Sequence, residues 1–329
     1  MICLGIESTA HTFGIGIVDE KGKVLANVKD AYTTESGGII PTEASDHHVN
    51  VCDVVLRNAL EKAKISLADV DLITYSQSPG IGHTLRIGAF VARSLASQLR
   101  KPIVGVNHAI AHLEIGRLRT NAKDPILLYA SGANTQVIAY HNKKYRVFGE
   151  TLDIGVGNFL DSFARHIGLG FPGGPKIYEL SLQSKKFIEL PYVVKGMDVS
   201  FGGLLTHTKR KFDSGECSKE DLSFSIQETV FAMLVEVSER ALAHTRKNEL
   251  VLGGGVACNI RLREMCEKMC DDRGAQCYCP ENEFLVDNGA MIAWLGVLKY
   301  QNQGGEKISD CVIKPYERTD DVEVTWYKD

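Results

Sequence analysis

Two separate stretches of this 329-residue chain follow one plan, and that repetition limits the folds open to it. Ile2–Glu7, Phe13–Asp19 and Val24–Asp30 are strand-like runs joined by the polar turns Ser8-Thr9-Ala10-His11 and Glu20-Lys21-Gly22-Lys23. The plan returns as Ile126–Ala130, Thr135–Tyr140 and Tyr145–Glu150, joined by Ser131-Gly132-Ala133-Asn134 and His141-Asn142-Lys143-Lys144. Each stretch reads as a three-stranded β-meander. After each come helices alternating with short apolar strands: Asp71–Ser76 and Ile103–Val106 in the first half, Leu250–Gly253 in the second. The pattern predicts two βββαβα halves: a first lobe over 1–124 and a second over 125–303 with inserted helices. A C-terminal helix over 304–329 is expected to pack back on the first lobe.

Two meanders extended by crossover helices and parallel strands resemble the duplicated ribonuclease-H-like architecture of the actin, hexokinase and heat-shock ATPase superfamily. That resemblance implies an α/β fold of two lobes with an interlobe nucleotide cleft. In it the first turn of each half faces the other and offers backbone amides to phosphate. Glu7, Ser8 and Thr9 are therefore candidate phosphate or turn contacts, as are Gly254 and Gly255 in Gly253-Gly254-Gly255-Val256-Ala257-Cys258-Asn259. That run follows a strand and opens a helix, and its glycines let backbone pass close to a ligand. No G-x-x-x-x-G-K-[ST] sequence occurs, which excludes a P-loop as the nucleotide site. Asp161, in the glycine-punctuated stretch Asp153–Asp161 that precedes Phe171-Pro172-Gly173-Gly174-Pro175, could accept from ribose hydroxyls or be a helix-surface acid.

His108 and His112 are four residues apart after the strand-like run Ile103–Val106, so one helix face can aim both imidazoles at one metal ion. The spacing alone fits two partly buried histidines equally well. A zinc peptidase would carry Glu beside the first histidine as its base, where this chain has Ala109. Asp287, ahead of the helical run Met291–Tyr300, is either a helix N-terminal charge or the third ligand of a two-His, one-carboxylate site. Cys266, Cys270, Cys277 and Cys279 match no zinc-ribbon spacing. The nine cysteines, odd in number and dispersed, are expected to be mostly free thiols.

The net charge of −4 argues against a protein that coats nucleic acid throughout. Local basic surface remains: Lys185, Lys186, Lys195, Lys209, Arg210 and Lys211 stand against Glu189 and Asp198, a net +4, although a solvated face accounts for such a run as well. The chain opens on a strand-like run without a basic leader, and no stretch of about 18 apolar residues occurs. A cytoplasmic protein without membrane contact is expected.

Several motifs together resemble the TsaD/OSGEP family over nearly the whole chain. They are Ile6-Glu7-Ser8-Thr9-Ala10-His11-Thr12, Gly37-Gly38-Ile39-Ile40-Pro41, Asn107 through His112, Ser131-Gly132-Ala133-Asn134-Thr135, Asp153 through Asp161, Pro172-Gly173-Gly174-Pro175, Ser200 through Thr206 and Gly254 through Asn259. Glu-Ser-Thr-Ala-His-Thr and the ending Lys314 through Val322 are closest to the archaeal and eukaryotic branch, the catalytic subunit of the KEOPS complex. The resemblance implies a metal-dependent acyltransferase. It would transfer a threonylcarbamoyl group from threonylcarbamoyl-AMP to N6 of the adenosine immediately 3′ of the anticodon, in tRNAs reading codons that begin with A.

By the same likeness His108, His112 and Asp287 would hold one Fe2+ or Zn2+. Tyr129, Ala130, Ser131, Gly132 and Ala133 would contact the substrate, and Asp161, Gly174, Tyr178 and Asn259 the nucleoside of an adenylate, ATP or AMP. The implied partners are tRNA and the KEOPS subunits: a small kinase/ATPase, a dimerising subunit and a regulatory subunit. The chain departs from the family pattern at Ser78, at Ala133 (usually Gly), at Gly202 (usually Ser) and at Tyr178, where an acid is usual. Two other functions share the architecture. An actin-like or sugar-kinase-like ATPase has no use for paired imidazoles, and a nucleotide-gated scaffold would tolerate loss of all three ligands.

Overall fold

The computed structural model describes residues 1–34 and 37–327. The first meander forms as β1 (Ile2–Glu7), β2 (Thr12–Asp19) and β3 (Val24–Ala31), followed by α1 (Pro41–Ala63), β4 (Leu72–Ser78), α2 (Gly82–Leu99), β5 (Ile103–Asn107) and α3 (His108–Thr120). The second meander is β6 (Ile126–Ala130), β7 (Thr135–His141) and β8 (Lys144–Glu150). After it come α4 (Val156–His166), α5 (Gly174–Ser181), the short ribbon β9 (Val194–Lys195) and β10 (Asp198–Val199), α6 (Gly202–Asp213) and α7 (Lys219–Thr245). The half closes with β11 (Glu249–Gly253), a 3₁₀ turn Gly255–Cys258, α8 (Ile260–Arg273), β12 (Gln276–Tyr278), the single-turn α9 (Asn282–Leu285) and α10 (Gly289–Gln303).

The two five-stranded sheets have the same topology. In the first the order is β3-β2-β1-β4-β5; in the second it is β8-β7-β6-β11-β12. Each meander is antiparallel, and β1 pairs parallel with β4 as β6 does with β11. The duplication read from the turns is thus a duplication of fold, an α/β pair of ribonuclease-H-like units.

Three apolar clusters stack the layers. α1 and α2 cover one face of the first sheet around Ile6, Ile15, Ile73 and Tyr75. The inserted helices cover the outer face of the second around Leu128, Phe159, Phe231 and Leu252. Between the sheets lies a shared layer made of α3 and α10, where Ile110, Leu113, Met291 and Leu295 meet Val104 from one sheet and Leu127 and Val251 from the other. Each large side chain buried there is worth about 1.5–3 kcal/mol relative to exposure. α10 closes the second half in sequence yet packs on β1, β2 and β4 of the first lobe. It approaches so closely that a Cβ on Gly16 would lie 2.0 Å from Ala290 N, which is why β2 reads Phe-Gly-Ile-Gly-Ile.

The C-terminal segment is not the expected helix. Among its described residues only two 3₁₀ turns form, Ile308–Asp310 and Thr319–Asp321. Gly304-Gly305 and Pro315 interrupt it, and its apolar residues show no 3.6-residue period. It does return to the first lobe, where Lys314 N donates to the Gln77 carbonyl (2.9 Å). All nine cysteines are free, and Cys266 and Cys270 are buried. No helix among the described residues is long and apolar enough to cross a membrane.

Candidate metal centre

β5 passes directly into α3, and Asn107 makes the junction. Its Oδ1 accepts from the Ala109 and Ile110 amides (3.0 and 3.2 Å), while its Nδ2 donates to Ser78 Oγ (3.3 Å). The helix therefore starts at His108, and His112 lies one turn on, both buried in the layer between the sheets. Their ring centroids are 4.8 Å apart.

The third group arrives from the other shared helix. Asn288 caps α10, its Oδ1 accepting from Met291 N (3.0 Å) and its Nδ2 donating to the Val286 carbonyl (2.8 Å). Asp287 is thereby released from the capping role. Its Oδ1 lies 3.3 Å from His108 Nε2 and 3.4 Å from His112 Nε2. Among the described residues this is the one set of three ligating side chains that converges, with ligand atoms within 4.8 Å of one another.

These residues fit a metal ion. Ligands at about 2.0–2.1 Å in tetrahedral array stand about 3.3 Å apart, close to the separation of Asp287 Oδ1 from each imidazole Nε2. His112 is buried with neither ring nitrogen hydrogen-bonded, a costly state that coordination would relieve. His108 Nδ1 lies 2.9 Å from Glu7 Oε2, which assigns the proton to Nδ1 and leaves the Nε2 lone pair facing Asp287. Without an ion, burial works against charge on His108, but Glu7, Tyr129 and Asp287 outweigh it and raise its pKa well above the usual value. Burial, with the neighbouring His108, lowers that of His112. Burial would raise Asp287, yet the charge on the neighbouring His108 holds it well below the usual carboxylate range.

Two neighbours of this cluster were not read as part of it. Glu7, a candidate phosphate or turn contact, is fully buried, with Oε2 on His108 and Oε1 accepting within its own turn from Thr9 N (2.7 Å) and Thr9 Oγ1 (2.6 Å). The Ser8 amide donates to Ser76 Oγ (2.9 Å), so the Ser8 and Thr9 amides are also committed within the protein rather than free for phosphate. The signal was available: a carboxylate ending the buried run Ile2–Glu7 needs a polar partner. Tyr129, expected at the substrate, has its hydroxyl 3.0 Å from His108 Nε2 and its ring 5.0 Å from that of His112.

The remaining expected contacts gather on the second lobe, where α4 touches both α5 and the 3₁₀ turn. Asp161 Oδ1 accepts from Gly173 N (2.7 Å) at the start of α5, so one oxygen already serves the protein. Asn259 caps α8 through Arg261 N (2.9 Å) and donates to Gln227 Oε1 (2.8 Å). Gly174 opens α5 with nothing within 4 Å of where a Cβ would stand, and Tyr178 follows one turn later, half-buried. Gly254 takes φ +87 and would place a Cβ 2.3 Å from the Ala130 carbonyl oxygen, so it is needed for packing against the second meander. Gly255 abuts Val286, next to Asp287, which joins this end of the lobe to the histidines.

The turn Ser131–Asn134 is closed by Ser131 N donating to the Asn134 carbonyl (2.8 Å), and the Ser131 and Gly132 carbonyls accept from the Gly157 and Asn158 amides in the first turn of α4. Gly132 and Ala133 are exposed, and Ala133 needs no positive φ, so alanine there is unstrained. At Gly202 a Cβ would come within 2.9 Å of Asp153 Oδ2. That carboxylate accepts from Ser200 Oγ, Phe201 N and Gly202 N, and despite its partial burial these bonds hold it down to about 2.

The family model described as "TsaD: tRNA N6-adenosine threonylcarbamoyltransferase" matches residues 23–294. A Thermococcus kodakarensis protein named tRNA N6-adenosine threonylcarbamoyltransferase is 58% identical over 326 residues, 99% of this chain and 100% of that one. A Methanocaldococcus jannaschii protein named probable bifunctional tRNA threonylcarbamoyladenosine biosynthesis protein is 54% identical over 100% of this chain and 61% of its own length. Among solved structures, full-length HypF in a phosphate- and nucleotide-bound form superposes with a TM-score of 0.63 at 12% identity, over 93% of this chain and 56% of that one, a likeness of fold alone.

Proposed function

The chain belongs to the TsaD family, and from that membership we propose that its His108, His112 and Asp287 centre and the adjoining end of the second lobe carry out tRNA N6-adenosine threonylcarbamoyl transfer. The group passes from an adenylate to N6 of the adenosine immediately 3′ of the tRNA anticodon. The observation that carries the metal-dependent reading is the 3.3 and 3.4 Å approach of Asp287 Oδ1 to two imidazole Nε2 atoms from the other shared helix.

In the reaction the adenine amine bonds to the carbamoyl carbon, the bond from that carbon to the phosphate oxygen breaks, AMP departs and N6 loses one proton. A bound Fe2+ or Zn2+ would supply Lewis acidity toward the substrate's oxygens. The protein's own contribution is placement. Glu7 fixes the His108 tautomer, and the buried layer excludes water. The second-lobe end formed by Asp161, Gly174, Tyr178 and Asn259 receives the nucleoside. The exposed turn of Ser131, Gly132 and Ala133, beside Tyr129 and Ala130, faces the transferred group. No step requires a covalent intermediate on a side chain.

A kinase-like ATPase would leave the paired imidazoles and the half-buried Asp287 carboxylate between them unexplained. For partners beyond tRNA, the reading takes the KEOPS subunits: a small kinase/ATPase, a dimerising subunit and a regulatory subunit. Val49 and Val54 on α1 and Phe90 on α2 are exposed apolar side chains available to such a partner. A tRNA substrate goes with a cytoplasmic location. The test is His112→Ala and Asp287→Asn, each assayed for bound metal by elemental analysis and for threonylcarbamoyl transfer. Both properties should be lost together with the fold retained, and full transfer by a metal-free variant would refute the reading.

A further inference from the structure

The C-terminal segment ends in a clasp on α3 that the transfer reading does not use. It leaves the first lobe near Gln77, whose Nε2 donates to the Val312 carbonyl (2.7 Å), and crosses the second meander. There Arg318 Nη2 meets Glu150 Oε1 (3.0 Å) and Val324 N donates to the Lys143 carbonyl (3.1 Å). At α3, Trp326 Nε1 donates to Glu114 Oε1 (2.7 Å). Tyr327 stacks on Tyr140 at 3.9 Å, and the Arg117 guanidinium lies 4.3 Å over its ring.

Glu114 is the buckle. Its carboxylate is buried and receives donors from three parts of the chain: Tyr145 of β8 (2.5 Å), Arg117 of α3 itself (3.0 Å) and Trp326. A buried carboxylate is tolerated only when bonded in this way, so loss of one donor would let the helix shift to find a replacement. Glu114 follows His112 by two residues, about 200° round the helix, so the clasp grips α3 from the side opposite the metal ligand.

The two histidines depend on that helix differently. His108 is held by Glu7, whereas neither nitrogen of His112 has a hydrogen-bond partner, and its place is set by the helix that carries it. We propose that Trp326 and Glu114 are positioning residues that pin α3 so that His112 Nε2 stays at ligand distance from Asp287. The inference rests on the metal-centre reading above.

The test is Co2+ binding by the full-length protein, followed by affinity and by the visible absorption of the bound ion, well below the melting temperature. Trp326→Phe keeps an aromatic ring and removes the N–H together with the fused five-membered ring; Glu114→Gln keeps the shape, separates the lost charge from the lost volume and serves if the first variant fails to fold. Each should weaken Co2+ binding about tenfold, the low end for a supporting partner, and change the absorption envelope. Val237→Ala, a cut in the second lobe's own core, should lower the melting temperature and leave both readouts unchanged. Parental Co2+ affinity and absorption in the clasp variants would overturn the proposal whatever their melting temperatures. Failure of the parent protein to bind Co2+ would instead bring down the metal reading, and this inference with it.

Discussion

Glu7 Oε2 stands 2.9 Å from His108 Nδ1, so a carboxylate at the end of β1 orients an imidazole of the candidate metal centre at the start of α3. Such outer partners raise ligand basicity and fix the tautomer, and their loss costs about 10- to 100-fold in metal affinity. Glu7→Gln should therefore weaken Zn2+ by that range while His108 and His112 remain in place. Competition against a chromophoric chelator measures it, and parental affinity would show that the contact is incidental.

Asp287 depends on a different constraint, the backbone contact of α10 with β2. Gly16→Ala would drive a Cβ to 2.0 Å from Ala290 N, a clash with backbone that no rotamer change relieves. The expected cost is about 1–3 kcal/mol in urea unfolding, with weaker metal binding as Asp287 moves with its helix. A stable variant with normal metal affinity would mean that the helix can shift without disturbing the centre.

How much of this was legible follows from the kind of signal each part carries. The meanders announced themselves because strand period and turn chemistry are local, and the strand bounds hold to within a residue or two. His108 and His112 were visible as an i, i+4 pair, but Asp287 was ambiguous until Asn288 was seen to cap the helix in its stead. The bond between Glu7 and His108 left no local sign, because its partner lies on another element. The C-terminal segment has no local periodicity at all. It is ordered by Gln77, Glu150 and Glu114, contacts between residues far apart in the chain that no window of sequence displays.

The basic stretch ending α6 gives a prediction about tRNA. Arg210 is exposed and Lys211 partly so, while Lys209 already donates to Ser162 Oγ (3.2 Å). Arg210→Ala with Lys211→Ala should weaken tRNA binding and flatten its dependence on log salt by about 2, roughly one unit per lost phosphate contact. Adenylate binding should be unaffected, and Lys209→Ala alone should do less. An unchanged salt slope would place the tRNA elsewhere.

His48 sets an acid limit on the first lobe. On α1, fully buried against Phe13 with neither ring nitrogen hydrogen-bonded, it is pushed down to about 4 by burial first and then by the neighbouring His47 and His11. An unfolded chain protonates the same imidazole near 6.5, so between these values the unfolded state binds the proton that the native state refuses. Stability from this group is complete above pH 6.5 and falls with acidification toward pH 4, by about 2 kcal/mol between pH 6.5 and 5. His48→Leu removes the titration and should flatten that part of the profile relative to the parent, measured by urea unfolding in chelator so that metal release does not contribute. Parallel losses in parent and variant would assign the acid sensitivity to other groups.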